Sequence, residues 1–202
     1  MALGKQAKVL SAKQVMAMLR HIAEGRNAAR NTVIFLLSVK AGLRAKEIAS
    51  LTWNSVLNSE GQVGDELVVT NAQSKGHKGG REIFINKELR QALVRFLDGH
   101  IECWGTVDAN ESLVQSERGL QKGMSAQVIV NTFSRWYSDM GFVGASSHSG
   151  RRTFITNGAR KIVECGGSLR DVQQLAGHSS LQTTQCYIEG STEAKRRLMD
   201  II

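Results

Sequence analysis

The chain contains no proline. No helix or strand is therefore broken by a residue that lacks its backbone N–H, and helix boundaries have to be read from Gly, Ser and Asn. Cysteine is nearly as scarce. Cys103, Cys165 and Cys186 are odd in number and show neither CxxC nor Cys/His ligand spacing; this excludes a disulfide framework, implies no zinc site, and fits reduced thiols. Long apolar runs are missing too. No segment approaches the ~20 residues needed to cross a bilayer, and the opening MALGKQAKVLSAKQV has no apolar core of signal-peptide length. A cytoplasmic protein is expected, with no membrane partner. Acidic residues are outnumbered, 18 Asp and Glu against 26 Lys and Arg, for a formal charge of +8 and a pI near 9.7, a balance that favours a polyanionic partner.

What is present is mainly helical patterning. At 202 residues the chain can bury one proper core, with room for a small appendage and no need of disulfides or metal. Ser11-Ala12-Lys13-Gln14 reads as a capping box, and Val15, Met18, Leu19 and Ile22 follow at helical spacing. Residues 32–39 form a nearly continuous apolar run that stops at Ala41-Gly42, as a buried helix closed by glycine would. A short helix follows over residues 45–53. Residues 66–70 and 82–85 read as two strands joined by the Gly- and Lys-rich QSKGHKGG. Helices are expected again at 87–97, 125–140, 147–165 and 168–176, with Ser125, Ser147 and Ser168 as N-caps and Gly141 as a stop. Residues 99–123 are weakly patterned and read as loop. The few aromatic residues, among them Trp53, Phe96, Phe133, Trp136 and Phe154, fall at apolar helix positions and are assigned to the core rather than to base stacking. Cys186 is assigned to packing, and His77 and His100 to the surface.

Four polar clusters interrupt the apolar scaffold. Arg44 starts a helix after Gly42, with Glu47 one turn on; alone, this is an ordinary ion pair. Lys75, Lys78 and Arg81 sit in or beside the hairpin link, where a lysine tip is by itself an ordinary solvated turn. In SSHSGRRTF, His148 and Arg151 are three apart and share one face of a helix's first turn, where free N–H groups also favour an anion. The fourth cluster, LAGHSSLQTTQCYIEG, poses a geometrical question. On one unbroken helix His178 and Tyr187 would be separated by about 900° and about 13 Å, on opposite faces. The Gly177-His178-Ser179-Ser180 break lets a second helix start near Leu181 and fold Tyr187 back towards the histidine.

Taken together and in this order, the clusters suit one chemistry. Two arginines, a lysine and two histidines can hold a phosphodiester and stabilise the added charge of its pentacoordinate transition state without a metal. Lysine or histidine can protonate a leaving sugar oxygen, and a tyrosine nucleophile conserves the bond energy in a reversible phosphotyrosine link.

In these residues the chain resembles the tyrosine recombinases, or phage integrases. The motifs are Arg44 and Glu47 in AGLRAKEI, Lys75 in SKGHKGGRE, His148 and Arg151 in HSGRRTF, His178 in LAGHSS and Tyr187 in TTQCYIEG. The resemblance implies an α+β, mainly α-helical catalytic domain with a small antiparallel hairpin, the DNA breaking-rejoining fold. It implies a site-specific strand-transferase for integration, excision or inversion that needs neither cofactor nor ATP. Arg44, Arg151 and His178 would hold the scissile phosphate and Glu47 would brace the site. His148 would assist proton transfer, Lys75 would protonate the leaving 5′ oxygen, and Tyr187 would form the 3′-phosphotyrosyl intermediate. Lys78 competes with Lys75, since a two-residue shift of register exchanges their roles. Lys78, Arg81 and Arg152 are further DNA-contact candidates, Arg152 standing where many relatives have histidine.

The resemblance further implies double-stranded DNA as partner, a homotetramer on two duplexes in the synaptic complex, a possible accessory DNA-bending protein, and a nucleoid location when bound. Residues 1–190 are expected to be the catalytic domain without the N-terminal core-binding domain of most relatives. Residues 191–202 carry an apolar stripe opposite Lys195-Arg196-Arg197 and are expected to form a tail helix exchanged between protomers. The alternatives are a type IB topoisomerase, which shares the chemistry, and a non-catalytic DNA-binding regulator descended from a recombinase.

Overall fold

The computed structural model describes residues 6–74, 80–117 and 122–187, together with Arg196, Met199 and Asp200. Lys75, Lys78, His77 and most of the tail lie outside the described residues.

The described residues form eight α-helices, one short 3-10 turn at Trp53–Ser55 and one two-stranded antiparallel sheet. The first three helices are α1 (Ala12–Ala23), α2 (Ala28–Lys40) and α3 (Ala45–Ser50). Strands β1 (Glu66–Val69) and β2 (Arg81–Phe84) follow. Then come α4 (Lys87–Trp104), α5 (Ala126–Asp139), α6 (Ser149–Lys161), α7 (Leu169–Ala176) and α8 (Leu181–Gln185). The mainly helical class with a small hairpin is as expected.

Local chemistry accounts for most boundaries. The Ser11 hydroxyl accepts the Gln14 N–H while the Gln14 side chain reaches back, so the capping box that opens α1 is formed on both sides. Ser125 caps α5 and Ser168 caps α7, as expected. Gly42 (φ 67°), Gly141 (φ 63°) and Gly177 (φ 61°) all follow helix ends in the left-handed region that a side chain would disfavour. Helix α2 is buried nearly all round, from Val33 to Val39, and forms the axis on which α1, α4 and α6 pack. Leu67, Val69 and Ile83 turn one face of the hairpin into the core while Val68 and Phe84 face outwards, the period-two alternation of a half-covered sheet.

Several boundaries differ from expectation: α3 stops at Ser50 rather than at residue 53, and α6 at Lys161 rather than at residue 165. Helix α4 runs straight through Gly99 to Trp104 and stops at Gly105 (φ 76°). An interior glycine costs a helix only about 1 kcal/mol, and the turn beyond it packs His100 against the Trp53 ring. The described residues between Gly105 and Gly123 are irregular, as expected, but anchored: Leu113 and Val114 are fully buried, and isolated bridges pair Thr52 with Ser112 and Gln115 with Gly123. Helix α6 starts one residue later than expected, with His148 rather than Ser147 at its N-cap. Ser146 and Ser149 bond reciprocally across that turn and leave His148 between them, facing out. His100 is not a surface residue. Its side chain is 9% exposed, lies near Glu111 and packs against the Trp53 ring.

Most buried side chains belong to one core that includes Trp53, Phe133, Trp136 and Tyr137. A second, much smaller cluster of Ile155, Val172 and Ala176 lies between α6 and α7, and Tyr187 packs against its edge.

Candidate active site

Arg44 is the N-cap of helix α3, one residue after the core-buried Leu43, so the arginine leaves the core at the first point where its side chain can turn outwards. Three residues on, Glu47 is 1% exposed. Its carboxylate accepts the Arg44 backbone N–H at 2.8 Å and the Arg44 guanidinium at 3.0 Å. Arg81, at the start of β2, adds Nη1 to Oε1 at 3.1 Å and Nη2 to Oε2 at 3.2 Å. Burial alone would raise the Glu47 pKa. The hydrogen bond and charge of Arg81, with the N–H and charge of Arg44, outweigh it and hold the carboxyl below its ordinary range.

Arg81 was expected as a DNA-contact candidate; its guanidinium is instead turned inwards. Besides Glu47 it reaches the Leu175 carbonyl at 2.9 Å and lies over Gly177, where an added Cβ would come within 2.8 Å of Nη1. The hairpin, α3 and the end of α7 are thus tied together at one guanidinium. Period-two alternation was the available signal, because it puts Arg81 on the same strand face as the buried Ile83.

Helix α6 supplies the next pair. Arg151 is 3% exposed and is fixed from both sides by backbone carbonyls, Gly42 at 2.6 Å and Ala176 at 2.6 Å. Burial, followed by repulsion from Arg44 and opposed by Glu47, lowers its pKa to about 10, which leaves it charged at neutral pH. His148, on the turn before Arg151, is exposed. Arg152 is 9% exposed and faces the same cleft.

The break at Gly177 closes the site. The chain leaves α7 through Gly177, Ser180 caps α8, and Tyr187 follows directly after α8. The result answers the geometrical question: the His178 and Tyr187 rings stack with centroids 5.5 Å apart and planes at 24°. His178 is 8% exposed. Burial first, then the charges of Arg151, Arg44 and Arg81, push its imidazole down to about 4, so it is neutral at pH 7. Its Nδ1 meets the hydroxyl of the fully buried Thr184 at 2.9 Å. Cys186, expected in packing, is exposed instead and lines the cleft.

Arg44, His148, Arg151, Arg152, His178 and Tyr187, drawn from three separate regions of the sequence, line one open cleft of about 670 Å³. Glu47 lies beneath it as the brace of Arg44. Of the residues proposed for the catalytic site, Lys75 and Lys78 lie outside the described chain. Among the described residues no three His, Cys, Asp or Glu side chains gather to hold a metal, and the cleft's permanent positive charges are guanidinium groups.

A mainly helical domain with one hairpin, whose cleft sets buried arginines beside a tyrosine stacked on a neutral histidine, is built to hold an oxyanion next to a phenol. The chain belongs to the phage integrase family, whose model matches residues 8–193. A tyrosine recombinase XerA of Thermococcus kodakarensis is 28% identical over 195 residues, covering 96% of this chain and 62% of the relative. A tyrosine recombinase XerC of Leptospira interrogans is 30% identical over 173 residues, covering 85% of this chain and 49% of the relative. The chain thus spans between about half and three fifths of these relatives' length. Among solved structures, the Tn1549 transposon integrase in complex with a circular intermediate DNA superposes with a TM-score of 0.74 at 20% identity, over 98% of this chain and 66% of that one. The XerA recombinase superposes with 0.71 at 22% identity, over 95% and 63%. The fold is that of tyrosine recombinase catalytic domains.

Proposed function

We propose that the chain is the catalytic part of a site-specific DNA recombinase that cleaves and rejoins double-stranded DNA through a 3′-phosphotyrosyl intermediate. The observation that carries this reading is the stack of Tyr187 on His178 within the cleft shared by Arg44, His148 and Arg151. In the cleavage step the Tyr187 Oη attacks the scissile phosphorus and gives up its proton with the help of His148. The bond from phosphorus to the 5′ oxygen breaks, and the hairpin lysine, Lys75 or Lys78, supplies the proton that the leaving oxygen takes. Arg44 and Arg151 offer permanently charged, forked donors to the non-bridging oxygens, and their fixed positions mean that little reorganisation is needed as charge develops. A 5′ hydroxyl attacking the phosphotyrosine reverses these bonds, so joining needs no ATP.

The wider assembly is part of the same proposal. Residues 1–190 act as the catalytic domain on one side of the duplex, and four copies act on two duplexes, with an accessory DNA-bending protein where the site requires one. The tail of residues 191–202 is exchanged between protomers and so restrains cleavage until the complex forms. The protein works in the cytoplasm, on the nucleoid.

The test is a nicked duplex substrate that traps the covalent step, resolved on a denaturing gel. The wild type should give a protein–DNA adduct, and Tyr187→Phe should bind the same duplex without forming one. Binding without any wild-type adduct would favour the non-catalytic regulator. Adducts that survive in the Phe variant would remove Tyr187 from its role.

A further inference from the structure

Thr184 makes no contact with the open cleft, yet it is completely buried beneath it, on α8, three residues before Tyr187. Its hydroxyl meets His178 Nδ1 at 2.9 Å, and among the described residues that is its one side-chain hydrogen bond. Which atom donates follows from counting donors. If Nδ1 carried the proton and donated to Oγ1, the threonine's own O–H would be buried with no acceptor, at a cost of about 1–3 kcal/mol. If the hydroxyl donates to a bare Nδ1, every group in the pair is satisfied. The imidazole must then carry its proton on Nε2, the nitrogen that Thr184 leaves free.

The backbone of His178 is held as firmly. Its N–H donates to the Gln173 carbonyl at 3.1 Å, and its carbonyl accepts from the Gln173 side chain at 3.0 Å. With the Tyr187 ring stacked against the imidazole, the histidine has one position and one ring orientation.

We propose that Thr184 is a positioning residue that fixes the Nε2–H tautomer of His178, so that a neutral imidazole presents a hydrogen-bond donor to the substrate phosphate. This deepens the recombinase reading and rests on it. A neutral histidine is useful to an oxyanion only as a donor, and in the other tautomer the nitrogen away from Thr184 would offer the phosphate a repelling lone pair. Nothing in the residue type forces the useful tautomer; the buried hydroxyl does.

The experiment has two arms on the full chain. In the first, ¹⁵N NMR of the histidine rings near pH 7, assigned with His178→Asn, should place the protonated nitrogen of His178 at Nε2 in the wild type. Thr184→Val, which keeps the shape and removes the hydroxyl, should give a mixture of tautomers, and Thr184→Ser should restore the wild-type spectrum. A wild-type His178 protonated at Nδ1, or a Val variant with an unchanged spectrum, overturns the proposal. In the second arm, single-turnover cleavage should fall about 10- to 100-fold in Thr184→Val, the scale on which a histidine's orienting partner acts, with DNA binding unchanged and most of the rate recovered in Thr184→Ser. Equal rates in the Val variant and the wild type overturn the functional half. A wild type that forms no adduct sinks the recombinase reading instead, and the spectra then decide the tautomer on their own.

Discussion

Arg81 on β2 grips both carboxylate oxygens of Glu47 on α3, at 3.1 Å and 3.2 Å, in a pair where neither side chain is more than 6% exposed. Glu47 in turn holds the guanidinium of Arg44 at 3.0 Å. A buried carboxylate between two arginines, with a third cation nearby in Arg151, is the counter-charge that lets the cleft keep its positive groups together. Removing one member of such a set leaves uncompensated buried charge, which typically costs about 3–5 kcal/mol. Glu47→Gln should therefore lower stability in urea by about 3 kcal/mol and weaken phosphate binding. Arg81→Lys, which keeps the charge but loses the fork, should cost roughly half as much. A Glu47→Gln protein as stable as the wild type would show that the brace is idle.

Acid should weaken the fold in two separable stages. His178 has its pKa depressed to about 4 from an ordinary 6.5, so between those values the unfolded chain takes up a proton that the folded chain refuses. The stability from keeping it neutral is full above pH 6.5 and is lost as the pH falls towards 4, on the order of 3 kcal/mol in all. Glu47 is also depressed, from 4.5, and its contribution goes at lower pH, as the carboxylate is protonated. Melting temperature measured from pH 8 to pH 3.5 should show the first stage in the wild type and lose it in His178→Asn, with the second stage present in both. A wild type equally stable at pH 7 and pH 5 would contradict the burial of a neutral His178.

The end of the chain that carries Tyr187 rests on a small support. The apolar packing that holds α7 to the rest of the protein is the satellite cluster of Ile155, Val172 and Ala176 rather than the main core, with Arg81 and Arg151 adding hydrogen bonds to the Leu175 and Ala176 carbonyls. Val172→Ala should cost about 2 kcal/mol locally. Amide exchange over residues 169–187 should then speed up about thirtyfold, while α2 and α5 remain protected. Uniform acceleration across the chain would mean that the two clusters unfold as one.

Much of this was legible in the residues. The serines at 11, 125 and 168 and the glycines at 42, 141 and 177 encode caps and stops by short-range chemistry alone, and the Gly177–Ser180 break foretold that His178 and Tyr187 would meet. What escaped depends on distant partners. Gly99 looked like a boundary because its cost is local, whereas the packing just beyond it, His100 on Trp53, depends on a partner far away in the sequence. Arg81 looked like a surface cation because its composition is that of a basic turn. Its inward face is set by strand alternation and by Glu47, 34 positions earlier. Thr184 carried no signal of its own beyond its place between the histidine and the tyrosine.

The hairpin lysines have the same chemistry and lie three positions apart. Replacing Lys75 and Lys78 separately by Ala should slow single-turnover cleavage by more than about a hundredfold in one case only, the scale of a lost general acid. A substrate whose 5′ oxygen is replaced by sulfur, a leaving atom that needs no proton, should restore the rate in that variant. Equal, small effects from both substitutions would take the general acid away from the hairpin.

The most direct measurement is the position of the covalent bond. Adduct trapped on the nicked duplex, digested with nuclease and trypsin and read by mass spectrometry, should carry a nucleotide 3′-phosphate on Tyr187 and on no other residue. The same product should form in the presence of a strong metal chelator if the arginines supply the charge stabilisation, as proposed. A phosphate found on another side chain, the exposed neighbour Cys186 included, or an adduct lost on chelation, would contradict the account.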